Sequence, residues 1–242
     1  MGPMDRAEVQ IEAGTATLAG RLSMPEGAHG LVVFAHGSGS SRHSPRNLLV
    51  SDRLNDAGIG TLLFDLLTDD EEKFDAKTAE YRFDVGFLAG RLTATVDWLS
   101  RRYASRPRTA RTRIGLFGAS TGAAAALITA AERPTMVRAV VCRGGRPDLA
   151  HSMLPRVLAP TLFIVGANDE TVVNINQGAA ARMRAVHELQ IVPGASHLFQ
   201  EPGKLDAVAE LAAGWFGTYL RSEQPAETSD YAGAATRQGS GL

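Results

Sequence analysis

Short apolar runs recur along most of the chain and are separated by segments of helical character. Several runs are continuously apolar, which is typical of strands buried on both faces of a parallel sheet. The first two are predicted to be joined by a turn at Gly14. The predicted strands cover residues 9–13, 15–24, 31–35, 61–67, 113–117, 137–142, 161–165 and 189–192.

Apolar residues between the strands repeat every three or four positions, which is the period of an amphipathic helix. The clearest example is the segment 83–103, in which Leu88, Leu92 and Val96 share one face. The acidic run at residues 69–72 is predicted as a solvated connection or as the frayed start of a helix. The predicted helices cover residues 46–57, 83–103, 120–132, 174–183 and 205–219.

Alternation of strands and helices predicts an α/β protein with a mostly parallel sheet of about eight strands and helices on both faces. A single domain is predicted over residues 1–221. Residues 222–242 are small, polar and aperiodic, and are therefore predicted to form a disordered tail. About 18 residues separate the strands 137–142 and 161–165, which leaves little or no room for a lid.

Composition narrows the function classes. A net charge of −1 over 242 residues gives no overall field that would favour nucleic acid or an anionic membrane as a partner. The first residues lack the apolar core of a signal peptide, and no run approaches a membrane span. The single cysteine, Cys142, excludes an internal disulfide framework. We expect a cytoplasmic protein without a metal or an organic cofactor; its oligomeric state is left open.

The most informative motif is the sequence Gly-Ala-Ser-Thr-Gly at residues 118–122. It follows a predicted strand and precedes a predicted helix, which is the context of a nucleophile elbow. Glycines on either side allow the sharp turn that would expose the Ser120 hydroxyl at the top of the sheet. Considered alone, Ser120 is also compatible with an ordinary helix N-cap.

A serine nucleophile needs a base, and histidine has a suitable pKa near neutrality. His197 lies in a loop after the last predicted strand, and Asp169 follows the strand 161–165. The order Ser120, Asp169, His197 is that of the α/β-hydrolase triad. Glu170 and Asp148 are alternative acids.

Acyl transfer also needs donors for the oxyanion. One is expected to be the backbone N–H of Thr121, directly after the nucleophile. The other is expected to be the N–H of Ser38, in the glycine- and serine-rich loop that follows the strand 31–35. His36, at the start of that loop, is expected to brace it rather than to act in catalysis.

Taken together, these motifs are similar to those of the dienelactone hydrolase branch of the α/β-hydrolases. The stretches that carry the resemblance are 36–39, 118–122, 166–169 and 194–197, within a similar region of about 9–220. Residues 41–47 and 143–149 resemble, more narrowly, bacterial members linked to phosphoribosyltransferase domains. The resemblance implies an α/β-hydrolase fold and a triad of Ser120, Asp169 and His197.

The chain departs from the resemblance at one point. Dienelactone hydrolase proper uses a cysteine nucleophile, whereas the elbow here carries Ser120. Cys142 ends a predicted strand without an elbow and is expected to be structural. The resemblance therefore favours a serine hydrolase of small carboxylic esters, thioesters or lactones, rather than a dienelactone hydrolase. The alternative function is a non-catalytic scaffold of the same fold that binds a ligand or a partner.

Four arginines lie on loops predicted to flank Ser120, and guanidinium groups suit carboxylate or phosphate ligands. Their placement raises the expectation of an anionic substrate, whereas ion pairing with Asp84 or Asp148 is the alternative. The four candidates are Arg42, Arg46, Arg143 and Arg146.

Overall fold

The computed structural model describes residues 4–104 and 113–221. Its strands are β1 (Met4–Ala13), β2 (Ala16–Pro25), β3 (Leu31–Ala35), β4 (Gly60–Phe64), β5 (Ile114–Ala119), β6 (Val137–Arg143), β7 (Thr161–Gly166) and β8 (His187–Val192). Its helices are α1 (Pro45–Asp56), α2 (Asp69–Thr78), α3 (Val85–Arg102), α4 (Thr121–Glu132), α5 (Glu170–Ala180) and α6 (Lys204–Leu220).

All eight described strands belong to one sheet, in the order β1-β2-β4-β3-β5-β6-β7-β8. Strand β2 is antiparallel to both of its neighbours, β1 and β4. Every pairing from β4 across to β8 is parallel. The carboxyl ends of β3, β5, β6, β7 and β8 therefore meet at one edge, where ligands bind in open α/β folds.

Helices cover both faces of the sheet, which confirms the predicted architecture. Helices α1 and α6 pack on one face, and α3, α4 and α5 pack on the other. Consecutive residues of β5 point into different cores: Leu116 packs under α3 and α4, and Phe117 packs under α1 and α6. Because both faces are buried, the strand reads as a continuous apolar run rather than an alternating one.

Residues 69–72 are the first turn of helix α2 rather than a loop. A capping box begins this helix: the Glu71 N–H donates to Thr68 Oγ1 at 3.3 Å, and the Thr68 N–H donates to the Glu71 carboxylate at 2.8 Å. Four acidic residues in the first turn also favour the positive end of the helix dipole. The charged run is therefore a helix start, not simply a solvated connection.

Other boundaries differ from the predictions by a few residues. Strand β1 starts at Met4, and α5 starts at Glu170 rather than at residue 174. Strand β4 ends at Phe64, whereas the predicted strand ran to residue 67. The chain has left the sheet by Leu66, because its N–H donates to the His36 side chain, at Nε2, over 3.1 Å.

The connection between β6 and β7 holds two short 3₁₀ turns, Pro147–Ala150 and Leu154–Arg156, and no inserted domain. This agrees with the prediction of little or no lid. No helix in the described part of the chain is long and apolar enough to cross a membrane. The tail predicted over residues 222–242 lies outside the described residues.

Helix α4 approaches the end of β3 closely at Gly122. A Cβ atom at this position would lie 2.2 Å from the carbonyl oxygen of Ala35 and 2.6 Å from that of His36. We expect Gly122→Ala to destabilise the fold by about 2 kcal/mol or more, because backbone atoms rather than flexible side chains must move. Urea unfolding would measure this change.

Gly214→Ala is the matched control, since Gly214 lies within α6 with no atom near the added methyl group. That variant should be as stable as wild type or up to about 1 kcal/mol more stable. Equal stability of the Gly122→Ala variant and wild type would show that α4 does not need this close approach.

Candidate active site

Ser120 lies on the sharp turn between β5 and α4, as the elbow motif predicts. Its φ of 51° and ψ of −121° are strained for a residue with a side chain. The Ser120 N–H donates to the Arg143 carbonyl at 3.2 Å, and the Ser120 carbonyl accepts from Arg146 N–H at 3.1 Å. Although Ser120 occupies the N-cap position of α4, its hydroxyl makes no capping hydrogen bond. The side chain is partly exposed.

Asp169 and His197 are in direct contact although 28 positions separate them. His197 Nδ1 lies 2.6 Å from Asp169 Oδ2, and the aspartate is largely buried. Asp169 precedes α5 but does not cap it, so its carboxylate is committed to the imidazole. With Nδ1–H donating to the carboxylate, Nε2 of His197 is left as an acceptor.

The imidazole of His197 lies over Gly144, one residue beyond the carbonyl that binds Ser120. A Cβ atom at Gly144 would lie 3.5 Å from the ring. Among the described residues, the Ser120 hydroxyl has no hydrogen-bond partner, so no serine–imidazole bond is formed in this structure. Such bonds are commonly long before a substrate binds.

The loop after β3 is tied to the start of α4. Ser38 Oγ lies 3.1 Å from Thr121 Oγ1, and it donates to the Arg82 carbonyl, also at 3.1 Å. A Cβ atom at Gly37 would lie only 3.0 Å from Ser120 Cβ, so the loop runs directly beside the serine. Within the described ranges, no acceptor takes the backbone N–H of Ser38 or Thr121. Both N–H groups are therefore available to a ligand.

His36 is buried and holds this loop in place. Its Nε2 accepts the Leu66 N–H at 3.1 Å, which puts the proton on Nδ1, facing the Gly37 carbonyl at 3.0 Å. Burial lowers the pKa of His36 below its ordinary value of 6.5. The neutral ring acts as a brace, which agrees with the sequence-based expectation.

A second support, which the sequence did not reveal, lies between α2 and α3. The buried Asp75 carboxylate accepts from the backbone N–H groups of Tyr81 and Arg82 and from Arg82 Nε, at 2.6–3.0 Å. Burial alone would raise the pKa of Asp75, but these hydrogen bonds outweigh it and hold the pKa below its usual value. These hydrogen bonds to Asp75 hold Arg82 in place, and the Arg82 carbonyl in turn accepts from Ser38 Oγ.

The four candidate arginines fall into two groups. Arg42 pairs with Asp65, and Arg146 forms a two-bond ion pair with Asp148 at 2.7 and 2.9 Å. These carboxylates neutralise both guanidinium groups. The remaining two, Arg46 and Arg143, have no acidic partner among the described residues.

Asp84, the other acid considered as an arginine partner, instead caps helix α3. Cys142 is fully buried in the core beneath α4, and burial raises the pKa of its thiol. It is therefore a packing residue, as expected. No cluster of His, Cys, Asp or Glu within the described ranges could hold a metal ion.

The sheet has the strand order of an α/β-hydrolase, with β2 as the strand that runs antiparallel to its neighbours. Together with a serine on a strained strand-to-helix turn, this order defines the α/β-hydrolase class. More narrowly, the chain belongs to the dienelactone hydrolase family, whose model matches residues 18–220.

The chain is more than half identical in sequence to two kinds of known protein. A dienelactone hydrolase from Anabaena variabilis is 53% identical, with a TM-score of 0.86 over 90% of this chain and 99% of that one. Proteins from two Mycobacterium tuberculosis strains, each named "Putative phosphoribosyl transferase", are 52% identical over 223 residues. These residues are 92% of this chain but 48% of those proteins, so the chain spans about half the length of these curated relatives.

More distant structures share the fold alone. Est1E from Butyrivibrio proteoclasticus is 16% identical, with a TM-score of 0.71 over 88% of this chain and 98% of that one.

The bracing role of His36 predicts a pH effect on stability. Its pKa is lowered in the fold, so below about pH 6.5 the unfolded chain takes up a proton that the folded chain does not. Stability should therefore fall as the pH drops from 7 to 5, with a contribution of at most about 1.4 kcal/mol per pH unit.

His36→Gln should flatten this dependence in urea unfolding, whatever its stability at pH 7. His43→Gln, which removes an exposed imidazole from the same loop, is the control. Parallel stability–pH curves for wild type and His36→Gln would contradict the assignment.

Proposed function

We propose that the protein is a serine hydrolase that cleaves small carboxylic esters, thioesters or lactones through an acyl-enzyme on Ser120. The observation that carries this proposal is the contact of 2.6 Å between Asp169 and His197, together with a serine on a strained elbow at the same edge of the sheet. An aspartate committed to one imidazole nitrogen leaves the other nitrogen ready to accept a proton. Membership of a hydrolase family supports the same reaction class.

The mechanism follows from the roles of these groups. Nε2 of His197 takes the hydroxyl proton while Ser120 Oγ attacks the carbonyl carbon, and Asp169 stabilises the imidazolium that forms. The oxyanion accepts hydrogen bonds from the unpartnered N–H groups of Ser38 and Thr121. Collapse of the tetrahedral intermediate breaks the ester bond, and His197 protonates the departing alkoxide or thiolate. Water then attacks the acyl-enzyme, gives its proton to His197 and releases the acid.

The transferase name of the mycobacterial relatives belongs to proteins of about twice this length. The hydrolase family model covers residues 18–220, which is most of the chain. We therefore propose hydrolysis, not phosphoribosyl transfer, as the activity of this chain.

A non-catalytic binding scaffold is the second candidate, because Ser120 Oγ makes no hydrogen bond to His197. A fluorophosphonate probe separates the two functions, since it labels only an activated serine. Labelling of wild type, but not of Ser120→Ala, is expected.

Replacement of Ser120 by alanine should lower kcat on an activated ester, such as 4-nitrophenyl acetate, by roughly 10³-fold or more. The oxyanion donors and the substrate site would remain, so a residual rate should persist. Circular dichroism and urea unfolding would establish that the variant is folded. Near-normal turnover in a folded Ser120→Ala protein would refute the nucleophile.

Asp169 and Asp148 allow a matched test of the triad acid. Asp169→Asn should lower kcat by roughly 10²-fold or more, because the amide no longer stabilises the imidazolium. Asp148→Asn should leave kcat close to wild type, since Asp148 is paired with Arg146. Loss of activity in the Asp148 variant alone would overturn the assignment of Asp169.

A further inference from the structure

The side chain of Arg143 is buried at the carboxyl end of β6 without a partner. The residue is only 7% exposed, and its Nε and Nη1 atoms are sealed from solvent. No hydrogen bond or ion pair joins its guanidinium to any residue that the structure describes. An isolated buried charge is costly, so proteins normally pair it.

The charged group that acts most directly on Arg143 is a second cation, Arg46. Burial is the larger cause and the charge of Arg46 the smaller one in lowering the pKa of Arg143 to about 10. Because that pKa remains well above neutrality, Arg143 is charged at physiological pH.

Arg46 itself is unfavourably placed. It lies in the first turn of α1, which contains no acidic residue, near the positive end of the helix dipole. Its Nε is also buried without an acceptor among the described residues. Two guanidinium groups and a helix N-terminus thus lie at the carboxyl edge of the sheet, and no carboxylate in residues 4–104 or 113–221 pairs with them.

The backbone that carries Arg143 lies against the candidate active site. The Arg143 carbonyl accepts the N–H of Ser120, and a Cβ atom on the next residue, Gly144, would lie 3.5 Å from the His197 ring. Arg46 follows the loop that carries Ser38. The paired cations Arg42 and Arg146 lie on the same two loops, so lack of a carboxylate is particular to Arg143 and Arg46.

We propose that Arg143, assisted by Arg46, binds an anionic group of the substrate, a carboxylate or a phosphate, beside the acyl carbon attacked by Ser120. The substrate class rests on the proposed function, whereas the anion site itself does not. A guanidinium fork can donate two parallel hydrogen bonds to either anion. The substrate would be an ester, thioester or lactone that carries such a group.

Arg143→Met tests the site, because methionine fills a similar volume without a charge. If Arg143 serves a ligand rather than the fold, the variant should be at least as stable as wild type in chloride buffer, because removing an unpaired buried charge relieves its desolvation cost. A structural arginine would instead give a lower Tm. A Tm clearly below wild type in chloride would count against the proposal.

Binding is measured by calorimetry on the full chain at constant ionic strength. Inorganic phosphate and malonate serve as probes for the two anion types, with chloride as the balancing salt. Wild type should bind at least one probe saturably, Arg143→Met at least about tenfold more weakly, and Arg46→Gln with an intermediate loss.

Arg138→Gln is the control for net charge, since Arg138 lies exposed near the amino end of the same strand. It should bind the probes as wild type does. Unchanged binding in Arg143→Met, or no saturable binding by wild type, would overturn the proposal.

A kinetic arm connects the site to catalysis. An ester with a free carboxylate and its neutral methyl ester are compared, and wild type should prefer the anion by about tenfold or more in kcat/KM. Arg143→Met should lose this preference, with a larger loss of kcat/KM on the anionic ester than on the neutral one, whereas Arg138→Gln should keep it. Equal kcat/KM values on wild type would refute the substrate assignment.

The two proposals fail in different ways. If neither ester is turned over and the fluorophosphonate probe does not label Ser120, the hydrolase proposal fails. Calorimetry then still decides the anion site. If turnover occurs but Arg143→Met binds the probes and prefers the anionic ester as wild type does, only the anion site fails.

Discussion

The close approach of α4 to the sheet is the constraint on which the candidate site depends. A helix can start directly against the end of β3 only where no side chain intervenes, and Gly122 provides that space, while Gly118 provides it between β5 and the first turn of α4. The turn between them must then be very tight, which forces Ser120 to a positive φ. Backbone hydrogen bonds to Arg143, at the end of β6, and to Arg146, in the loop that follows, hold this strained conformation. The backbone of Ser120 is thereby held in place while its side chain is left partly exposed.

Parallel strands bring the remaining groups to the same edge. The loops after the parallel strands leave the sheet at the edge where Ser120 lies, so residues far apart in sequence come to the same edge. Ser38 arrives after β3, Asp169 after β7 and His197 after β8. Two buried supports, His36 and Asp75, fix the first of these loops by hydrogen bonds to backbone groups. The site is therefore made mostly from loops whose geometry is set by buried side chains.

The sequence predicted those features that depend on local pattern. The apolar runs of the strands, the helical period of residues 83–103 and the glycine spacing around Ser120 are all readable without a structure. The spacing of Thr68 and Glu71 is that of a capping box, but the density of charge in residues 69–72 left a solvated connection and a helix start both open. Long-range pairing was not readable: Arg42 and Asp65 are 23 residues apart, and nothing local distinguishes Arg42 from Arg46. Likewise, no local sequence pattern predicts that the Asp75 carboxylate accepts a hydrogen bond from the Arg82 backbone.

The arginines differ in whether a carboxylate compensates their charge. Carboxylates neutralise Arg42, Arg82 and Arg146, each at a cost in conformational freedom that its hydrogen bonds offset. Arg143 has no such partner in the part of the chain that the structure describes, and its burial weakens the screening by salt that a surface charge would experience. In a chain with a net charge of −1, attraction for an anion cannot come from the overall field and must be local. The guanidinium groups of Arg143 and Arg46 are the source of such a local field, because carboxylates neutralise Arg42 and Arg146 on the same two loops.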